Sequence, residues 1–336
     1  MNSYNKKFKA LVVRRKDNKT FNYKVETRDL NELKKNNILI KVFYSSINYK
    51  DGMSCLGNPA ITRRFPHTPG VDAAGIIEES DNKEFKKGEK VIVIGFPLGM
   101  NISGGFGEYI YVPKEWVLKL NFNLSFEECM AFGTAGYTAG LAVQKIYENY
   151  LILERKEFII SGVTGGCGSF AAAILKKLGA SITGISRRTS NLKGDYKDFY
   201  FDKIIDTHKF IETNKQNLSK PQWDGGLDFV GGKVFVAMLK NIKIHGHVTS
   251  AGNAFSSEIN TNLLPFILRG LTLHGVNAEE NLKKEKEFLW NKLSNEWKPK
   301  NFKTLYKVIT LEELPSYMKL FIEGKTYGRI VIKHKN

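Results

Sequence analysis

EFIISGVTGGCGSFAAAILKKL, running from Glu157 to Leu178, decides the fold by the order of its residue types. Phe158, Ile159 and Ile160 form a short β-rich apolar run, and Phe170 to Leu178 an apolar helical stretch closed by Gly179. Between them stand Gly162, Gly165, Gly166 and Gly168, spaced G-x-x-G-G-x-G rather than the commoner G-x-G-x-x-G. Strand, glycine loop and helix together are the context that gives such a motif meaning. The glycines let the backbone turn sharply and approach a pyrophosphate, whose charge then faces the free N–H groups of a helix opened near Gly168. The competing reading is a purely structural turn.

The next apolar run, SITGIS from Ser181 to Ser186, reads as the following parallel strand, with Ser186, Arg187 and Arg188 at its tip. A site built for NAD would place Asp or Glu there to bind the ribose 2′-OH, whereas hydroxyl and guanidinium groups suit a 2′-phosphate. NADPH is therefore the expected cofactor. The competing reading is a solvated strand end in a basic chain.

A chain of 336 residues, 42% of them apolar, is long enough for two domains with separate cores. The opening MNSYNKKFKALVVRR has no apolar stretch that could act as a signal peptide, and no run approaches a membrane span, so the expected location is the cytoplasm, with no membrane partner. Cys55, Cys129 and Cys167 lie far apart without C-x-x-C spacing, which excludes a disulfide framework and a Cys-rich zinc site. They are expected to be reduced and buried. The formal charge of +17, from 51 Lys and Arg against 34 Asp and Glu, raises the question of nucleic acid. The lysines are dispersed and no basic helix or aromatic-interleaved RNA motif stands out, so no dedicated nucleic-acid site is expected. A positive field would still draw in an anionic substrate such as a coenzyme A ester.

From Phe8 to Val112 the chain reads as strands and turns: KALVV, ILIKVFYSS, AAGIIEE, KVIVIGF and EYIYVP. Ile38, Ile40, Val42 and Tyr44 alternate as a strand with a buried face requires, and Phe85 to Lys90 reads as a tight turn. Near Ser125 the pattern becomes helical, and after Glu157 strands alternate with helices, the further strands being KIID, GLDFV, HVTSAG and LTLHGV. Thr304 to Lys333 adds strand, helix and strand. That helix rests on Leu311, Leu314, Met318 and Phe321, and Pro315 fits only in its first turn. The fold class is α/β, a β-rich part followed by a doubly wound sheet.

Six segments in order, SSINYKDG (Ser45 to Gly52), RRFPHTPGVDAAG (Arg63 to Gly75), GTAGYTA (Gly133 to Ala139), the glycine loop, PFILRG (Pro265 to Gly270) and GRIVIK (Gly328 to Lys333), resemble the medium-chain dehydrogenase/reductase superfamily. Within it the chain is similar to the zinc-free branch that holds acrylyl-CoA reductase and related quinone oxidoreductases. The resemblance implies a GroES-like catalytic domain over 1–125, a Rossmann NADPH-binding domain over 126–278, and a return to the catalytic domain over 279–336. It implies an active site in the cleft between the two domains. Where zinc-dependent relatives carry a ligand cysteine this chain has Ser46, and where they carry a His-Glu pair it has Val71 and Asp72, which argues against a catalytic metal. It assigns Tyr49 to the cofactor near the nicotinamide, Thr164, Gly165, Gly166 and Cys167 to the pyrophosphate, and Ser186, Arg187 and Arg188 to the 2′-phosphate. Asn253 and Ile267 match further cofactor-side positions. Two departures concern the adenosine end: Arg187 replaces a small residue, and the segment to Tyr196, a candidate adenosine-phosphate contact, is longer than usual.

The implied reaction is reduction of an activated C=C bond, acrylyl-CoA to propionyl-CoA, with an enolate to be stabilised before a proton reaches the α-carbon. Asn48 and Tyr49 are the candidate catalytic residues, an amide to hold an oxygen and a phenol to donate or relay a proton. Packing of the Tyr49 ring against the nicotinamide is the alternative. Asp51 and Arg64 could orient the loop or meet substrate, but an ordinary salt bridge is the preferred reading. His245 and His247, two apart on a strand and hence on one face, lack a third metal ligand at a recognisable spacing. Cys167 at a helix start reads as a small filler rather than a redox switch. The nearest alternative function is a quinone oxidoreductase. One of another class is an NADPH-binding, redox-responsive RNA-binding protein. The late apolar strand from Leu271 to Val276 suggests a homodimer by edge pairing.

Overall fold

The computed structural model describes residues 6–17, 20–189 and 200–335. Two compact units emerge, one of Met1–Thr134, Glu279–Asn291 and Tyr306–Asn336, the other of Ala135–Ala278 and Lys292–Leu305. The first boundary thus falls at Thr134 rather than residue 125, and residues 292–305 join the second unit instead of returning with the rest of the C-terminal segment.

The first unit begins with β1 (Lys7–Arg15) and β2 (Phe21–Asp29), an antiparallel pair in register from Lys7 opposite Asp29 to Arg15 opposite Phe21. Then come β3 (Ile38–Ser46), the short helix α1 (Tyr49–Cys55), β4 (Ala73–Ser80), β5 (Lys90–Val93), β6 (Tyr109–Val112) and β7 (Leu118–Lys119). Ile38, Ile40 and Val42 of β3 are buried with Ala73, Val91, Val93 and Ile110, which makes one side of this sheet the core. The helix α2 (Phe126–Tyr150) starts in this unit and is kinked at Gly133, whose backbone (φ 50, ψ −158) is not helical. Only glycine adopts such a conformation without a steric cost.

The second unit holds the rest of α2, then β8 (Glu157–Ser161), α3 (Gly166–Lys177), β9 (Ser181–Ser186), β10 (Lys203–Asp206), α4 (Thr207–Glu212), β11 (Trp223–Asp228), α5 (Gly232–Leu239), β12 (Ile242–Ser250), α6 (Leu264–Arg269) and β13 (Thr272–Gly275). Its six strands are all parallel, in the order β10-β9-β8-β11-β12-β13. In sequence terms that is third, second, first, fourth, fifth, sixth, the dinucleotide-binding order, and the direction of winding reverses beside β8. Phe158, Ile159 and Ile160 of β8 are completely buried, as a central parallel strand covered on both faces requires. The expected doubly wound α/β sheet is therefore present.

The chain closes with α7 (Lys283–Ser294), β14 (Tyr306–Thr310), α8 (Leu314–Ile322) and β15 (Arg329–Lys333). Pro315 lies in the first turn of α8, where no intrahelical N–H is needed. β15 runs antiparallel to β3, with Val331 opposite Ser46, and so brings Arg329 to the C-terminal end of β3. Among the described residues no helix is long and apolar enough to cross a membrane.

Candidate active site

In the second unit β8 delivers the chain to the glycine loop at the point where winding reverses. Gly162 takes φ +60, and the N–H of Gly165 returns to Gly162 O at 2.9 Å to close the turn. Gly165 is the N-cap of α3, and it offers no side chain to cap the first turn. The positive end of this helix is consequently available to an anion. α3 opens at Gly166, earlier than the expected Gly168, because Gly168 has another task. A Cβ at Gly168 would lie 2.3 Å from Gly162 O and 2.7 Å from Val163 Cα, so this residue is where helix and loop backbones touch.

The loop is fastened sideways to the end of β9. Val163 N donates to Ile185 O at 3.3 Å, and the hydroxyls of Thr164 and Ser186 lie 3.0 Å apart. Ser186 Oγ also accepts from Arg188 N at 3.1 Å. Thr164 and Ser186 are buried, Cys167 and Arg188 half-buried, and Arg187 exposed. The fold thereby gathers Thr164, Gly165, Gly166, Cys167, Ser186, Arg187 and Arg188 at the C-terminal ends of two adjacent strands. Main-chain N–H groups without a capping side chain, glycines that tolerate close approach and a basic strand tip fit a dinucleotide with a 2′-phosphate. Tyr196 lies outside the described residues.

On the other side of β8, Asp228 at the end of β11 is a functional candidate that sequence reading missed. It accepts from Ser161 Oγ at 2.6 Å and from Gly231 N at 2.9 Å, and burial pushes its carboxyl up to about 6. The loop after β12 attaches beside it, through Ala251 N to Asp228 O at 2.9 Å and Phe255 N to Val230 O at 2.8 Å. Asn253 is exposed in that loop, as are most of its neighbours, and Ile267 is exposed on α6 next to Leu268. Neither has a hydrogen bond to the glycine loop among the described residues.

In the first unit Asn48 caps α1 and Tyr49 is the first residue of that helix, with nearly half of its side chain exposed (47%). The Asn48 amide is fully engaged. Its Nδ2 donates to Asp72 Oδ2 at 2.7 Å and to Ser46 O at 3.2 Å, and its Oδ1 accepts from Arg329 Nη1 at 3.0 Å. An amide has two donors to give, so Asn48 has none left for a substrate oxygen. Asp72 is equally occupied, accepting also from Ser46 Oγ at 2.6 Å, from Thr134 N at 3.0 Å and from Thr134 Oγ1 at 2.5 Å. Its ion pair with Arg329, at 3.2 Å, is sealed from solvent.

Asp51 corrects the salt-bridge expectation. It is completely buried and forms no ion pair among the described residues, accepting instead from the main-chain N–H groups of Asn48, Gly70 and Val71 at 2.8, 3.0 and 3.1 Å. Burial pushes its carboxyl up to about 7, the charge of Asp72 adds to that, and the three N–H groups pull the other way. Asp51 therefore orients the loop, while Arg64 is exposed. His245 adopts φ +56, which breaks the strand alternation that would have put it on one face with His247. His247 pairs instead with His274, Nδ1 to Nε2 at 2.9 Å. Cys55 and Cys129 are buried as expected, but Cys167 is only half-buried.

Metal ligation can be tested at Ser46 and Asp72. Their oxygens are already bonded, and Arg329 Nη2 stands 2.6 Å from Ser46 Oγ, so an added cation would meet a guanidinium and no thiolate or imidazole. Among the described residues no group of three or more His, Cys, Asp or Glu could hold a metal ion. The donor set does not fit zinc.

Comparison with known proteins agrees with this geometry. Residues 34–122 match the alcohol dehydrogenase GroES-like domain and residues 166–294 match the zinc-binding dehydrogenase family. The YhfP protein of Bacillus subtilis, named as a quinone oxidoreductase, is 34% identical over 92% of this chain and 94% of its own length. Acrylyl-CoA reductase AcuI of Ruegeria pomeroyi is 30% identical over 92% of this chain and 93% of its own. The crystal structure of the YhdH oxidoreductase of Salmonella enterica in complex with NADP superposes with a TM-score of 0.91 at 30% identity, over 97% of this chain and all of that one. YhfP with NAD bound gives the same TM-score, 0.91, at 33% identity over 98% and 99% of the two chains. With both domains matched, relatives 30–34% identical over more than nine tenths of both chains and a guanidinium where a metal would be ligated, the chain belongs to the zinc-free branch of the medium-chain dehydrogenase/reductase superfamily.

Proposed function

We propose that this chain is a metal-independent, NADPH-dependent reductase of activated C=C bonds that converts acrylyl-CoA to propionyl-CoA. The observation that carries the reading is the glycine loop fastened by Thr164 to Ser186, with Arg187 and Arg188 following. When bound, NADPH supplies a hydride to the β-carbon of the thioester. The chain's own residues do the rest. Gly165, Gly166 and Cys167 present the helix end to the pyrophosphate, and Ser186, Arg187 and Arg188 take the 2′-phosphate. Asn253 and Ile267 line the cofactor side. Tyr49 donates a hydrogen bond to the thioester oxygen, where negative charge develops, and passes its phenolic proton to the α-carbon. It is then reprotonated from water. Asn48, its amide spent on Asp72 and Arg329, holds Tyr49 in place rather than touching the substrate.

Reduction of a quinone is the second reading, favoured by the name and 34% identity of YhfP. Two further assignments belong to the same proposal. The protein acts in the cytoplasm, and it forms a homodimer through β13, one of the two edge strands of the parallel sheet, where Leu273 is exposed near Ile267 and Leu268 in sequence. Sedimentation analysis of the purified chain tests the dimer, a monomer at micromolar concentration being the adverse result.

Function is decided by following NADPH oxidation with acrylyl-CoA and a benzoquinone in parallel, with NADH as control. Preferential NADPH-dependent turnover of the thioester is the expected result. Turnover of the quinone alone transfers the assignment to the second reading.

A further inference from the structure

The zinc-binding name of the matched family and the donor set of this chain disagree, and the disagreement has a structural content. Arg329 is 3% exposed, yet each of its five N–H donors has an acceptor. Nε donates to Ala131 O at 3.2 Å, Nη1 to Ile47 O at 2.5 Å and Asn48 Oδ1 at 3.0 Å, and Nη2 to Ser46 Oγ at 2.6 Å and Asp72 Oδ2 at 3.2 Å. One guanidinium thus gathers the end of β3, the residue before β4 and the first part of α2 onto β15. A single positive charge faces a single carboxylate, so the cluster is neutral as well as saturated. Gly133 is part of its construction: a Cβ there would fall 2.3 Å from Asp72 Oδ2, 2.6 Å from Arg329 Nη2 and 2.7 Å from Ser46 Oγ.

We propose that Arg329 is a positioning residue for the reduction, an internal organic cation that fixes the Ser46-Ile47-Asn48 segment and through it the placement of Tyr49. Three successive residues are bonded to the guanidinium, and the next residue in the chain is Tyr49. The charges also fix the Asn48 amide, Oδ1 toward the cation and Nδ2 toward the carboxylate, so neither flip nor rotation is available to it. An ammonium group could supply the charge, but its three donors cannot meet the five acceptors that the guanidinium fork reaches. The inference rests on the role given above to Tyr49.

The test is a double-mutant cycle on the full-length enzyme, joining Arg329→Lys to Tyr49→Phe. Lysine keeps the charge and abandons two of the five acceptors, so kcat is expected to fall about ten-fold or more while the thioester KM and the NADPH dissociation constant stay within about two-fold. In the Tyr49→Phe background the same replacement is expected to cost less than about two-fold, because the group being positioned is already gone. Equal fractional losses in both backgrounds, or no loss in either, overturn the proposal. If Arg329→Lys does not fold, Ser46→Ala removes one acceptor of the guanidinium and enters the same cycle, with a smaller loss expected and the same criterion. Hydrogen exchange gives a readout apart from turnover: Arg329→Lys should speed exchange at residues 47–52 and 132–135 and leave 162–168 unchanged, and unchanged protection at 47–52 is adverse. Failure of the underlying reading looks different. There, Tyr49→Phe alone leaves turnover intact, while the exchange result still reports whether Arg329 holds the segment.

Discussion

Around Asn48 in the first unit the polar groups consume one another: five N–H donors of Arg329, both oxygens of Asp72 and both ends of the Asn48 amide are bonded inside the protein. Around Gly162 to Gly168 in the second unit the protein instead leaves the helix end without a capping side chain and removes Cβ atoms where backbone meets backbone. A saturated, neutral cluster has no capacity for a ligand and can only hold geometry, whereas an uncapped helix terminus keeps unsatisfied N–H groups and a partial positive charge for an anion to meet. The difference teaches that binding and positioning are divided between the units, so damage to one should appear in affinity and damage to the other in turnover.

The largest effect should come from the open loop. Gly168→Ala puts a methyl group 2.3 Å from Gly162 O and must part loop from helix, so calorimetry should find NADPH affinity lowered by more than about a hundred-fold, roughly 2.7 kcal/mol. Unchanged affinity would mean that the close approach serves only packing. Tyr49→Phe should lower kcat by about a hundred-fold, the lower end for loss of a general acid, with NADPH affinity unmoved. A parallel loss of affinity would break the division of labour. Arg188→Glu should weaken NADPH by about thirty-fold, some 2 kcal/mol for a charge-assisted contact, and leave NADH nearly as it was. Equal effects on both nucleotides would show that the 2′-phosphate lies elsewhere.

The smallest effect concerns Asp51, on the saturated side. Its carboxyl, pushed up to about 7 by burial, holds its proton more tightly folded than unfolded, so its contribution to stability is full at low pH and is lost as pH rises through about 7. His334 has the opposite sign: burial pushes its imidazole down to about 4, so its contribution is lost as pH falls from about 6.5. Between about pH 6.5 and 8 Asp51 therefore acts without His334. Thermal melting in that window should show Asp51→Asn, although less stable overall because one backbone N–H loses its acceptor, gaining about 1 kcal/mol relative to the wild type as pH rises, a difference in which Asp228 and Lys286, which also titrate near this range, cancel. Parallel lines would count against a titrating Asp51.

Much of the second unit was legible because its signals are local. The glycine loop, the apolar run of β8 and the basic tip of β9 each occupy a few adjacent residues, and backbone sterics give those patterns one meaning. Helix α3 nevertheless began two residues early, since which glycine caps and which makes the close approach depends on where Gly162 and Val163 come to lie. The first unit was legible only in pieces. Ser46, Asp72, Gly133 and Arg329 all sit within the segments that carried the family resemblance, yet nothing in SSINYKDG, PGVDAAG, GTAGYTA or GRIVIK says that they meet. The salt bridge expected of Asp51 failed for the same reason: its partners are main-chain N–H groups, which every residue has and no sequence pattern marks.

The sequence by itself determined the α/β class, the order of the elements, the place of the dinucleotide loop and the lack of thiolate and imidazole for a metal. Tertiary structure decided that Arg329, 257 positions from Asp72 along the chain, would close the buried cluster that holds Asn48, and that the amide expected to meet substrate would be spent inside the protein. Local patterns persist in sequence because backbone geometry acts over a few residues, while the partner of a buried charge is set by strand pairing between β15 and β3, which no neighbouring residue encodes.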